Sequence, residues 1–196
     1  MQNPAQPRPR LRRLAVVVLL VATSLAMASV ASGHGFGTTA NPDHYIADSR
    51  IHNWVATEES VSVLTRLEPL WRTVMNGQYG NRTDMVASEV AYGSYTIHTD
   101  VYWFATTAVS SSDALCVRWA DQNSTPKKCN QVRVRHPWKK VFDGTSDNTW
   151  KQGICHEVGH SVGFDDSSPE TSAGCMSGGS NGTLSTHEIN HINNQY

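Results

Sequence analysis

The sequence has few cysteines and no long hydrophobic segment. It contains four cysteines in 196 residues, and none precedes Cys116. No two of them are spaced as C-x-x-C, the pairing typical of cysteine-rich zinc sites. The one sustained apolar run, Leu14 to Met27, is shorter than the about 20 residues that cross a bilayer. These absences argue against a cysteine-based zinc knot and against a stable membrane anchor.

The first 33 residues have the order of a secretory signal peptide. Four arginines precede the apolar run, and small residues follow it from Ala28 to Gly33. Because no cysteine lies near this region, it offers no thiol for a lipid anchor. We therefore expect cleavage near residues 31–33 and a secreted, extracellular domain over residues 34–196.

Basic residues are scarce in the expected mature chain. Four of the sixteen Lys and Arg residues, and none of the seventeen Asp and Glu residues, lie in the segment to be removed. The remainder has 12 basic and 17 acidic residues, a net charge of −5. Such a chain lacks the basic footprint of a nucleic-acid-binding protein. About 163 residues suffice for one domain with its own core, and we expect that domain to act as a monomer.

Hydrophobic periodicity predicts a helix followed by several strands. Apolar residues recur at three- and four-residue spacing from Val61 to Val74, with Thr57 as the predicted N-cap and Asn76-Gly77 as the stop. The stripe that contains Trp71 is most simply core. Short β-rich runs predict strands near residues 44–47, 85–87, 95–97, 101–104, 115–119 and 130–135. These strands, together with the helices considered below, predict a small mixed α+β domain.

The stretch Cys155 to Asp166 contains the pattern H-E-x-x-H-x-x-G-x-x-D. Residues four apart share one face of a helix, so His156 and His160 would direct two imidazoles at one point. Glu157 would lie close enough to a metal-bound water to act as a general base without ligating the metal. This spacing predicts a metal site on a helix at about residues 149–163.

The third ligand is expected just beyond that helix. Gly163 would let the backbone turn through a conformation that other residues avoid, which could bring back Asp166 as a ligand. Asp165 is a weaker alternative, one residue out of phase with the motif. Three protein ligands and one open position are typical of a catalytic zinc site.

A second H-E-x-x-H runs from His187 to His191. No glycine turn follows it, and its third-ligand position would fall beyond residue 196, so an amphipathic terminal helix capped by Ser185 or Thr186 is the simpler interpretation. In the alternative, Glu188 on this helix would be the third ligand beside the first histidine pair. The other histidines (His34, His44, His52, His98 and His136) are isolated and are expected to be ordinary surface or loop residues.

The segment after the first motif resembles a known clan of enzymes. Residues Cys175 to Gly179 read C-M-S-G-G, and residues Leu184 to Ile192 read L-S-T-H-E-I-N-H-I. Together with H-E-x-x-H-x-x-G-x-x-D they resemble the metzincin zinc endopeptidases, and most closely the snapalysin and bacterial matrixin-like families. Some metzincins have a tyrosine two residues after the methionine; here that position is Gly178, so a second proton donor is not identified.

The resemblance implies a metzincin-like fold with a small twisted mixed sheet, an active-site helix, a methionine turn and a C-terminal helix. Met176 would pack beneath the imidazoles. Four cysteines allow three pairings, of which we favour Cys116–Cys129, closing a hairpin, and Cys155–Cys175. The latter would fasten the active-site helix to the methionine turn, because each of its cysteines immediately precedes a site residue.

The implied function is that of a secreted zinc endopeptidase with one catalytic Zn²⁺ that hydrolyses proteins or peptides. Calcium sites are common in such enzymes, but no loop in this sequence identifies one. Two alternatives remain at this stage. One is a gluzincin-type enzyme with Glu188 as third ligand. The other is a secreted binding module that keeps zinc for stability and has lost hydrolysis, which the intact Glu157 disfavours.

Overall fold

The computed structural model describes residues 45–57, 59–91, 99–166, 174–177 and 181–196. All of them belong to the unit His34–Tyr196. The expected signal peptide and the strand predicted at residues 95–97 lie outside the described residues, as do His34, His44 and His98. Within the described ranges, no helix is long and apolar enough to cross a membrane.

Six strands form one mixed, mostly parallel sheet. Strands β1, β6, β4, β2 and β3 are parallel neighbours in that order, and β5 pairs antiparallel with β6. Strand β6 is long enough for β1 and β4 to pair with successive parts of it. The strands span Tyr45–Ala47 (β1), Ile51–Ala56 (β2), Val86–Glu89 (β3), Val101–Thr106 (β4), Asp113–Asp121 (β5) and Lys127–Pro137 (β6).

The chain combines this sheet with helices, as expected for the predicted mixed α+β domain. The early helix, the motif-bearing helix and the terminal helix are all present, within a few residues of their predicted bounds. They are α1 (Val61–Val74), continued by a π-helix (Met75–Gly80), then α2 (Trp138–Val141), α3 (Asp147–Val162) and α4 (Thr186–Gln195).

Both predicted ends of α1 are wrong. The N-cap is Ser60, whose hydroxyl accepts a hydrogen bond from the Val63 amide, whereas the Thr57 amide donates to the Trp103 carbonyl oxygen at 3.0 Å. Thr57 therefore extends the pairing of β2 with β4. At the other end, the chain does not stop at Asn76-Gly77 but continues in the π-helix, whose Tyr79 is fully buried.

Stacked tryptophans join α1 to the sheet. The Trp71 ring lies between Trp54 of β2 and Trp103 of β4, with ring centroids 6.1 and 5.4 Å away. All three side chains are fully buried. Large aromatic surfaces contribute strongly to a core. The prediction that the Trp71 stripe is core is confirmed for Leu67, Trp71 and Val74, whereas Val61 at the start of the stripe is 80% exposed.

Strand β2 was not predicted, and two histidine predictions were wrong. In β2, the polar His52 and Asn53 interrupt an otherwise apolar run, which hides the strand signal. His52 and His136 are buried strand residues, not surface residues. Burial lowers the pKa of His52 to about 4 and that of His136 to about 3, so both rings are neutral near pH 7.

Each buried histidine has a specific partner. The Trp71 Nε1–H donates to His136 Nε2 at 3.1 Å, and His136 Nδ1 lies 2.8 Å from the Ser112 hydroxyl. His52 Nε2 lies 2.7 Å from the hydroxyl of Ser161 on α3. Hydrogen bonds of this kind offset part of the cost of burying a polar ring.

Helix α3 is tied to its surroundings along its length. The Tyr79 hydroxyl donates to the Cys155 carbonyl oxygen at 2.8 Å, and the Tyr196 hydroxyl donates to the Val162 carbonyl oxygen at 3.0 Å. Both favoured disulfides are present, with Cα atoms 5.9 Å apart in Cys116–Cys129 and 5.3 Å apart in Cys155–Cys175. The two hydroxyl hydrogen bonds and the Cys155–Cys175 bond hold the motif-bearing helix in place, whereas Cys116–Cys129 joins β5 to β6.

Replacing Tyr196 with Phe should destabilise the fold measurably. The hydroxyl also accepts a hydrogen bond from the Ala47 amide at 2.9 Å, so its loss leaves two backbone groups without that partner. We expect the free energy of unfolding in urea to fall by about 1–3 kcal/mol.

The matched control is Tyr45→Phe. Tyr45 lies in the same strand as Ala47, and its buried hydroxyl has no hydrogen-bond partner among the described residues. Its loss should change the free energy of unfolding little. Equal losses in the two variants would show that the bridge formed by Tyr196 does not stabilise the fold.

Candidate metal centre

The site is built on the last turns of α3 and the reversal that follows. Ser146 caps the helix at its N-terminus through the Thr149 amide, and Gly163 ends it in the left-handed conformation, with φ 117°. The amides of Gly163 and Phe164 bond the carbonyl oxygens of His160 and Gly159 at 3.2 and 3.0 Å. The predicted glycine turn is therefore present, and it directs the chain back across the end of the helix.

The turn brings a carboxylate to the two imidazoles. Nε2 of His156 lies 3.2 Å from Nε2 of His160. One oxygen, Asp166 Oδ1, lies 3.0 Å from the first of these nitrogens and 3.4 Å from the second. Among the described residues, these three are the one group of three or more acidic, His or Cys side chains whose ligand atoms lie within 4.8 Å of one another.

Both imidazoles are oriented by hydrogen bonds. Nδ1 of His160 lies 2.9 Å from the Phe164 carbonyl oxygen, which can accept only from an N–H. In the neutral ring the lone pair is therefore on Nε2. His156 hydrogen-bonds to the backbone of Cys175, whose carbonyl also accepts from Gln152 Nε2 at 2.5 Å. Such outer contacts fix the tautomer and orientation of metal-binding histidines.

The charges and pKa values of these three residues favour the binding of a cation between them. The hydrogen bond from His160 lowers the pKa of the Asp166 carboxyl group to about 2. Burial lowers the pKa of His160, but the hydrogen bonds to Asp166 and Phe164 and the charges of Asp166 and Glu157 together outweigh this effect, so the pKa is raised overall. Burial and the neighbouring imidazole both lower the pKa of His156. A carboxylate that is ionised at all ordinary pH values beside two imidazoles is a donor set that suits a divalent metal.

Glu157 is nearly buried, with 7% of its surface exposed. Burial raises its pKa to about 7; His160 opposes the shift, whereas Asp113 and Asp166 add to it. A carboxyl group with a pKa near 7 can take up and release protons near neutral pH. The sequence did not reveal the proximity of Asp113, which comes from the distant strand β5.

Met176 packs against the backbone between the two histidines. A Cβ atom at Gly159 would overlap the Met176 sulfur, so this glycine allows the close approach of the methionine turn to α3. The Cys155–Cys175 disulfide fixes the same contact covalently. Met176 thus contacts the helix that bears the imidazoles, and its predicted place beneath the two rings stays a prediction.

Glu188 does not join the His156–His160 pair, as the gluzincin-type alternative requires. Its fully buried carboxylate accepts hydrogen bonds from the amides of Cys175, Met176 and Ser185 at 3.1, 2.9 and 2.7 Å. It thus holds the methionine turn and closes the capping box of α4. The structure places Asp166 beside the imidazoles, and neither Glu188 nor Asp165 belongs to the ligand group.

Comparison with known proteins adds little to this geometry. No protein-family model and no curated protein matches the sequence. A solved structure of myroilysin is 15% identical over 62% of this chain, with a TM-score of 0.37, and the match spans about half of the myroilysin chain, 51%. This similarity is too distant to assign the chain to a family, so the site is interpreted from its own geometry.

Replacing Glu188 with Gln should loosen the methionine turn. An amide retains one acceptor oxygen, but its NH₂ group would face backbone donors that now have a carboxylate partner. We expect the free energy of unfolding to fall by about 1–3 kcal/mol, with faster hydrogen exchange at the Cys175 and Met176 amides.

Glu68→Gln is the control for this charge change. Glu68 bonds Arg72 on the surface of α1 at 2.8 Å, and exposed pairs contribute about 0–1 kcal/mol. Unchanged amide exchange at the turn in Glu188→Gln would contradict the role assigned to the buried carboxylate.

Proposed function

We propose that this protein is a secreted zinc-dependent endopeptidase. The observation that carries the proposal is the convergence of His156, His160 and Asp166 next to Glu157, whose pKa is about 7. A structural zinc site is usually closed by four protein ligands. Three ligands with a proton-accepting group alongside suit a catalytic site better.

Each residue has a chemical role in this proposal. The two Nε2 atoms and the Asp166 carboxylate would hold one Zn²⁺, which when bound polarises a peptide carbonyl and makes water more acidic. Glu157 would accept a proton from the attacking water and deliver it to the leaving amine. The Phe164 carbonyl would keep the His160 lone pair directed at the metal.

The edge strand β5 is the proposed support for the substrate. It pairs with β6 on one side and has no second strand partner among the described residues. Leu115 and Val117 are exposed on it, and its first residue, Asp113, acts on the pKa of Glu157. An extended peptide could add to this edge through backbone hydrogen bonds, which would place a peptide bond near the metal.

Other features agree with export and with a metzincin-like arrangement. Disulfides persist in oxidising compartments, and this chain has two of them. The left-handed turn at Gly163, the third ligand Asp166 and the contact of Met176 with α3 match the sequence resemblance. We propose protein or peptide substrates, a monomeric enzyme and extracellular localisation on this basis.

Glu157→Gln should abolish most peptide hydrolysis without releasing zinc. Gln is nearly the same size but cannot accept the proton, and general-base catalysis typically contributes about 10²–10⁴-fold to the rate. A quenched-peptide assay would measure the rate, and elemental analysis would measure zinc per chain.

Glu68→Gln provides the matched control, with wild-type rate and zinc content expected. Wild-type activity should also disappear with a zinc chelator and return when Zn²⁺ is added. Full activity of Glu157→Gln would show that Glu157 is not the general base. A wild-type protein that binds zinc but cleaves no peptide would support the inactive binding module.

Asp166→Asn should weaken zinc binding because it removes the charged ligand. We expect a loss of affinity at least as large as the about 10–100-fold produced by changes outside the ligand shell, measured by competition with a chromogenic chelator. The adjacent Asp165→Asn is the control and should retain zinc. If Asp165→Asn released zinc and Asp166→Asn did not, the assignment of the third ligand would be wrong.

A further inference from the structure

A second pair of imidazoles converges on α4. His187 and His191 lie four residues apart, with Nε2 atoms 2.9 Å apart and ring centroids 4.4 Å apart at an interplanar angle of 80°. The corresponding values for His156 and His160 are 3.2 Å, 4.7 Å and 88°. All four rings are half-buried. The two pairs therefore have nearly the same geometry on two different helices.

Helix α4, which carries His187 and His191, is held in place by several contacts. The capping box of Ser185 and Glu188 holds the first turn of α4, and Ile192 is fully buried on the inner face of the helix. The His191 ring packs edge-on against Phe164, with ring centroids 6.3 Å apart at 82°. Because backbone and ring are both held, little ordering is needed to bring the two nitrogens together.

We propose that His187 and His191 form a second binding site for a divalent transition metal ion, separate from the proposed catalytic centre. Imidazoles suit Zn²⁺, Cu²⁺ and Ni²⁺, and a metal about 2.0–2.1 Å from each nitrogen would subtend about 90° at a spacing of 2.9 Å. That angle is typical of octahedral and square-planar coordination, which Ni²⁺ and Cu²⁺ favour.

The second site differs from the first in its other ligands. Among the described residues, no further His, Cys, Asp or Glu joins this pair in a group of three. With two protein ligands among the described residues, the ion should bind less tightly than in a site with three.

Glu188 does not provide the second site with a catalytic base. Glu188 occupies the position equivalent to Glu157, but its carboxylate is turned inward to three backbone amides. The same five-residue motif thus predicts metal binding without hydrolysis on α4. The ion would sit beside Phe164, whose carbonyl orients His160.

The test uses Ni²⁺ as the probe and the full mature chain carrying Glu157→Gln, which prevents self-digestion. Titration calorimetry and elemental analysis would compare this protein with His187→Ala, His191→Phe and the control Asn194→Ala. His191→Phe keeps an aromatic ring against Phe164, and Asn194 is exposed on the same helix. Sites elsewhere in the chain contribute equally to all four proteins and cancel in the comparison.

Both histidine variants should bind one Ni²⁺ per chain at least about tenfold more weakly than the parent and the control. Equal Ni²⁺ stoichiometry and affinity in all four proteins would overturn the proposal.

If a variant does not fold, nuclear magnetic resonance of the parent protein provides the test. Imidazole ¹⁵N resonances assigned to His187 and His191 should both shift on adding Zn²⁺, and a shift of neither, or of only one, would count against a shared site.

Discussion

The candidate site depends on the left-handed turn at Gly163. With φ 117°, this residue lets the chain reverse immediately after α3. The reversal brings the Phe164 carbonyl to His160 and the Asp166 carboxylate to both imidazoles. A residue with a side chain at position 163 would be strained in this conformation by about 1–3 kcal/mol. Relief of that strain would move Asp166 and the Phe164 carbonyl away from the imidazoles. One backbone conformation thus orients His160 and brings Asp166, the candidate third ligand, to the two imidazoles.

A second set of contacts holds the methionine turn against the same helix. The buried carboxylate of Glu188 accepts three amide hydrogen bonds, and the Cys155–Cys175 disulfide crosses the same contact. Gly159 contributes by having no side chain, which admits Met176. Removing any one of these contacts leaves the others to hold the turn, so changes here should alter local stability before they alter the fold.

The local parts of the site could be predicted from sequence because they depend on helix periodicity. Four-residue spacing placed His156 beside His160, and a glycine marked the turn to Asp166. The role of Glu188 could not be predicted, since it depends on contacts between segments far apart in sequence. Strand β2 was missed because His52 and Asn53 conceal its pattern, although both residues have partners distant in sequence: His52 Nε2 lies 2.7 Å from the Ser161 hydroxyl, and the Asn53 amide donates to the Asp100 carboxylate. The error at the N-cap of α1 has the same origin, because strand pairing continues through Thr57.

The parallel stack of Trp71 on Trp103, with 5° between the rings, places closely coupled indoles at the contact of α1 with the sheet. Trp150 of α3 packs edge-on against His136 of β6, 5.4 Å between centroids, and His136 in turn lies 5.6 Å from the Trp71 ring, so the aromatic cluster extends from α1 to the motif-bearing helix. Near-ultraviolet circular dichroism should therefore report on the packing of α1 and of the start of α3 against the sheet as one unit. The chain thus carries an intrinsic optical probe by which loss of core packing can be followed.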